Sequence, residues 1–103
     1  MASDAHAAAA LSRRRLGRSD VEIVPLVFGS MTRRRTDPGE RIALVREVVA
    51  RGLTTIDTAP LYDFGAVETL LGEALAVFPR ERVQILGKAG LRWAPDARGR
   101  VLF

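Results

Sequence analysis

The chain has 103 residues, a net charge of +4 and 48% apolar residues, enough for a core. It has no cysteine, which excludes disulfides and thiolate metal sites, and no apolar run approaches the roughly 20 residues of a membrane span. Of its 16 cationic side chains only Lys88 is a lysine, and the sequence pI is about 10.9.

Met1 to Ala10 is Ala-rich, with its positive charges after the apolar part, the reverse of a secretory signal. Residues 1–12 are expected to be a disordered tail, residues 13–103 the folded segment, and the location cytoplasmic. Arg13-Arg14-Arg15 and Arg33-Arg34-Arg35 are the natural contacts for an anionic partner. No helix-turn-helix, zinc site or array of stacking aromatics accompanies them. They are therefore read as solvated loop residues, with no nucleic acid as partner. The alternative, an Arg-rich nucleic-acid binder, would show steeply salt-dependent affinity.

Arg13 to Ile23 predicts a β-hairpin: Arg15-Leu16, a turn at Gly17-Arg18-Ser19-Asp20, then Val21-Glu22-Ile23 with apolar residues alternating about a charge. Pro25 breaks the run, and Leu26-Val27-Phe28 reads as a strand ending at Gly29. Asp37-Pro38-Gly39-Glu40 starts a helix: Asp37 caps free N–H groups, Pro38 needs no N–H at the first helical position, and Glu40 completes a capping-box pattern. Ile42, Val45, Val48 and Val49 form its buried stripe, and Gly52 takes the left-handed position that ends it. Leu53 to Ile56 is short, half β-branched and bounded by Gly52 and Pro60, which suits a buried parallel strand. Asp57 stands at its C-terminal end. A right-handed crossover places this strand parallel to the first.

Val67, Leu70, Leu71, Ala74 and Leu75 fall at i, i+3, i+4, i+7 and i+8, the apolar stripe of a second helix. Pro79 to Arg82 reads as a loop and Val83 to Lys88 as a third strand, with Lys88 at its C-terminal end. A strand-to-strand period of about thirty residues is a βα repeat, not a solenoid. Beyond it, Pro95, Gly99 and scattered charges predict a loop. Parallel α/β proteins place their chemistry at the C-terminal ends of strands, which makes Asp57 and Tyr62 the first candidates.

Ile56-Asp57-Thr58-Ala59-Xaa-Xaa-Tyr62, followed by Gly65, Glu68 and Leu71-Gly72-Glu73-Ala74-Leu75, resembles the signature of the aldo-keto reductases. With its flanks, the resemblance covers about Arg13 to Trp93. It implies a (β/α)8 TIM barrel and NADPH-dependent reduction of aldehydes or ketones, with a small-molecule carbonyl substrate and no membrane partner. Such a barrel takes about 250 residues. The expectation is therefore its N-terminal part, about three βα units preceded by a β-hairpin, an incomplete domain. Gly29-Ser30-Met31 falls where family members bring loop backbone close to the cofactor, so Gly29, Ser30, Met31 and Asp57 are the implied cofactor-binding residues. A glycine that merely turns the chain is the other reading of Gly29.

Reducing a carbonyl leaves negative charge on oxygen, which a proton donor must meet as it develops. A tyrosine can give that proton, with an ordinary pKa near 10. A neighbouring lysine cation favours the phenolate, and a carboxylate keeps that lysine charged and oriented. Tyr62, Lys88 and Asp57 are the implied catalytic residues in those roles. Tyr62 is the chain's only tyrosine and Lys88 its only lysine.

The family's catalytic histidine belongs to the next barrel strand, beyond Phe103, and the only histidine here is His6. The residues that grip the phosphates of NADPH come from the last strands. The 103 residues alone are therefore expected to be inactive. The alternative is a non-catalytic or regulatory relative, as in the reductase-like β subunits of potassium channels. A metal site on Asp57, Asp63 and Glu68 is a weaker reading, since Asp63 and Glu68 suit a helix entry.

Overall fold

The computed structural model describes residues 11–31, 37–96, 98 and 100–102; His6, most of the expected tail, and Arg33-Arg34-Arg35 lie outside them. The chain opens with a hairpin of β1 (Arg14–Arg15) and β2 (Glu22–Ile23), antiparallel with Arg14 opposite Ile23. Its turn closes as its residues dictate. Gly17 takes φ +58°, Leu16 N–H donates to the Val21 carbonyl at 2.8 Å, and the Ser19 hydroxyl donates to the Leu16 carbonyl at 2.6 Å.

Then come β3 (Phe28–Gly29), α1 (Pro38–Ala50), β4 (Thr55–Asp57), α2 (Ala66–Leu75) and β5 (Gln84–Leu86). The three strands form one parallel sheet in the order β3-β4-β5, with Gly29 beside Asp57 and Asp57 beside Leu86. Ile56 and Val83 pack with Val45 and Val49 of α1 and with Val67, Leu70, Leu71 and Ala74 of α2 in one core. Both predicted helical stripes are thus the faces that meet the sheet. Arg46 of α1 reaches across to the end of α2, its Nε donating to the Ala74 carbonyl at 3.1 Å and its terminal nitrogen to that of Glu73 at 3.2 Å. Cations on free carbonyls are what a helix C-terminus favours.

The caps follow the sequence reading. The Asp37 carboxylate accepts from the Glu40 N–H at 3.1 Å. Gly52 takes φ +95°, while its N–H donates to Val49 and that of Leu53 to Val48, both at 3.0 Å. This is the Schellman pattern, two backbone bonds folding the chain back over the last turn.

The strand bounds differ from expectation, at Leu53 and Val83 because their N–H groups close the preceding turns. Leu53 is not strand, because its N–H still closes the helix. Leu26 and Val27 stay outside β3, 57% and 44% exposed; just before them the chain is held by a side chain, with the Val24 N–H on the Thr55 hydroxyl at 3.2 Å. Val83 closes a 3₁₀ turn onto Arg80 at 3.3 Å, so β5 begins at Gln84. It ends at Leu86, whose carbonyl takes the Thr58 N–H at 3.0 Å, leaving Lys88 two residues beyond the strand.

The segment expected to be a loop forms a second small hairpin, β6 (Ala94–Pro95) with β7 (Val101–Leu102). Asp96 organises its turn. Its carboxylate accepts from the Arg98 N–H at 2.9 Å, the Arg100 N–H at 2.8 Å and the Arg100 guanidinium at 2.7 Å. These bonds hold the carboxyl below its ordinary pKa of 3.8, the Arg100 backbone bond first, against the opposing effect of lost hydration.

Candidate active site

Asp57 is the last residue of β4, so the pairing that builds the sheet also fixes where its carboxylate leaves the backbone. On one side, Ser30 clamps it: its N–H and hydroxyl both donate to the Asp57 carbonyl, at 3.0 and 2.7 Å. After Asp57 the chain bends through buried Thr58 and Ala59. Tyr62 N–H donates to the Ala59 carbonyl at 3.1 Å, which sets the start of a 3₁₀ turn over Tyr62–Gly65. The Tyr62 ring packs against the edge of the core.

Lys88 arrives from the neighbouring loop and joins the two. Its ammonium donates to Asp57 Oδ1 at 2.8 Å, to the Thr58 carbonyl at 3.0 Å and to Tyr62 Oη at 3.2 Å. A lysine ammonium has three N–H donors, and each has found an acceptor. The nitrogen also stands 5.0 Å from the Tyr62 ring centroid, within cation–π reach. Asp57 raises the Lys88 pKa above 10.5, and Tyr62 adds to it, while partial loss of hydration opposes both. The ammonium is therefore kept charged. Its side chain is 49% exposed and that of Asp57 35%; water screens such a pair, so it does little for stability.

Because Tyr62 Oη accepts from Lys88, its own proton is left to donate elsewhere. Beside it lies a cavity of about 180 Å³, lined by Ala59, Leu61, Tyr62, Lys88 and Leu91 among others. A larger groove of about 410 Å³ lies on the helix side, among Leu71, Leu75, Phe78 and Ile85. Neither Asp57, Tyr62 nor Lys88 lines it, so the smaller cavity is where the polar groups can act.

A family model, the aldo/keto reductase family, matches residues 25–100, a span that contains all three of these residues. The chain belongs to the aldo/keto reductase family. It is 36% identical over 91 residues to a probable aldo-keto reductase 1 of Glycine max, covering 82% of this chain and 26% of that one. Over 42 residues it is 48% identical to an NADH-specific methylglyoxal reductase of Escherichia coli, covering 41% and 13%. Among solved structures it superposes on a thermostable aldo-keto reductase complexed with the inhibitor epalrestat, with TM-score 0.66 and 32% identity, over 74% of this chain and 30% of the other. The chain thus spans less than a third of the length of these relatives.

For an aldo-keto reductase of this kind, the residues read from sequence separate by what the fold does with them. Asp57, Tyr62 and Lys88 are brought together. Gly29 and Met31 are exposed at the same end of the sheet, and nothing lies within 4 Å of where a Cβ on Gly29 would stand. Ser30 is different: it is 6% exposed and its hydroxyl is committed to the Asp57 carbonyl. Gly29 and Met31 are thus open to solvent beside Asp57, while the Ser30 side chain is turned inward onto the Asp57 backbone.

The Thr58 carbonyl was not foreseen, since a backbone acceptor leaves no mark on residue type. Asp63 and Glu68 do not converge with Asp57: among the described residues no three His, Cys, Asp or Glu side chains gather to hold a metal. Arg13 and Arg15 flank a shallow cleft they share with Asp20, Glu22 and Glu81, so opposite charges interrupt the basic patch. No helix among the described residues is long and apolar enough to cross a membrane.

Proposed function

We propose that Asp57, Tyr62 and Lys88 are the proton-delivering part of a site that reduces aldehydes or ketones to alcohols with NADPH, on a (β/α)8 barrel longer than these 103 residues. The observation that carries the reading is the Lys88 ammonium held on Asp57, the Thr58 carbonyl and Tyr62 Oη. Asp57 keeps Lys88 charged and fixed. Lys88 directs its charge at the phenol oxygen, which favours the phenolate that forms as the proton leaves. Tyr62 then donates its proton to the carbonyl oxygen as negative charge develops there. The nicotinamide, when bound, supplies the hydride; Gly29, Met31 and Asp57 are the residues of this chain that would border it. NADPH is the cofactor the resemblance implies, and the relative named as NADH-specific makes NADH the comparison to run.

Among the described residues the parallel sheet has three paired strands where the barrel needs eight. The only histidine is His6. The polypeptide as it stands is therefore expected to show no NADPH-dependent carbonyl reduction, measured as loss of NADPH absorbance against a panel of aldehydes and ketones. Turnover abolished by Tyr62→Phe would show instead that these residues suffice. Binding of NADPH without turnover, even with the rest of a barrel supplied, would favour the regulatory reading.

A further inference from the structure

Among the described residues, Asp63 and Phe64 are the only non-glycine positions with positive φ, at +48° and +49°, and Gly65 follows at +96°. Aspartate tolerates this region, but a phenylalanine enters it against steric repulsion between its Cβ and the backbone. Such a conformation persists only where the surroundings determine it. Phe64 is 51% exposed, so burial in the core does not explain its place. Its N–H donates to the Leu61 carbonyl at 3.0 Å, and its ring meets that of Trp93 with centroids 6.1 Å apart and planes tilted by 51°, within the geometry aromatic pairs prefer.

The positions of the two rings give that contact a consequence. Phe64 lies on the turn that begins at Tyr62, and Trp93 lies on the segment that follows Lys88. The contact therefore ties together the two loops that carry the donor and acceptor of the 3.2 Å Lys88–Tyr62 hydrogen bond. The same two loops supply Leu61 and Leu91 to the walls of the cavity beside that bond. We propose that Phe64 and Trp93 are positioning residues, a clasp between the two loops that sets the distance from Lys88 to Tyr62. The inference rests on the reading of Tyr62 as proton donor, with its neighbour Lys88 as tuning group.

Lys88 is the chain's only lysine, so one isotope-labelled lysine reports its titration without overlap. The titration of Lys88 is followed by NMR in the full 103-residue chain, in Trp93→Leu and in Trp93→Phe. The wild-type midpoint is expected above 10.5. Trp93→Leu is expected to shift it back toward that value by the part that Tyr62 contributes, and Trp93→Phe, which keeps an aromatic ring, to preserve it. A raised wild-type midpoint that Trp93→Leu leaves unmoved overturns the clasp and spares the triad. A wild-type midpoint at the ordinary lysine value overturns the triad, and the clasp with it. Should Trp93→Leu fail to fold, Phe64→Asn removes the other ring while keeping a residue that tolerates positive φ, and the same shift is required of it.

Discussion

Lys88 shows how one atom sets the requirements on its neighbours. Its three acceptors leave no donor free, and the Asp57 hydrogen bond is the first cause of its raised pKa. Asp57→Asn removes the charged partner, so the Lys88 midpoint is expected to fall toward 10.5, read from the same lysine resonance. The pH dependence follows. A cation whose pKa is raised by folding contributes stability in full below the unfolded value, and loses it as pH rises through the folded value. Asp57, Tyr62 and Lys88 were legible in the sequence because residue type and spacing are what a motif records, and because Tyr62 and Lys88 are each unique. The Thr58 carbonyl and the inward turn of the Ser30 hydroxyl were not. Both are settled by how the backbone passes the site, which no residue letter states.

At the scale of elements, caps and apolar periodicity located α1 and periodicity alone located α2, since both features are local. The Asp37 carboxylate satisfies one of the free N–H groups of α1, so Asp37→Ala is expected to cost about 1 kcal/mol in a urea titration. Strand ends were less legible, because each depends on a partner distant in sequence. Leu53 looks like strand by composition, yet its N–H belongs to Val48. Asp63 looks like a helix-entry charge and instead, with Phe64, turns left-handed. The β6–β7 hairpin was read as a loop from Pro95 and Gly99, whereas Asp96 gathers its turn through three bonds. The Asp96 pKa is lowered on folding, so its contribution is present above 3.8 and lost as pH falls through the lower folded value. Amide signals of Ala94, Asp96, Arg98 and Arg100 are expected to lose their hairpin shifts in that acid range while the core of α1 and α2 is unchanged. Hairpin shifts that persist once the Asp96 carboxyl is itself seen to be protonated would show that Asp96 does not hold the turn.

At the scale of the molecule, one layer of helices covers one face of a three-stranded parallel sheet. Parallel sheets ordinarily have both faces covered. Here Leu26 and Val27 are exposed, a Cβ on Gly29 would meet only open space, and the Lys88 side chain, though fully partnered, is 49% exposed. A closed barrel removes both sheet edges and surrounds such positions, which is the setting in which a charged lysine and a phenol act without competing water. The βα order that builds this sheet was readable from sequence, because apolar periodicity marks each element locally.

The measurement that tests the central claim most directly joins residues 1–103 in register to the remaining strands of the solved thermostable relative and compares NADPH oxidation by this fusion with that of its Tyr62→Phe variant. Turnover of an aldehyde by the fusion is expected, with kcat lowered about 10²- to 10⁴-fold in Tyr62→Phe, the usual worth of a positioned proton donor, and KM little changed. A Tyr62→Phe fusion that keeps full turnover, or an unaltered fusion that folds and binds NADPH yet reduces nothing, would contradict the assignment of Tyr62 as proton donor to the carbonyl.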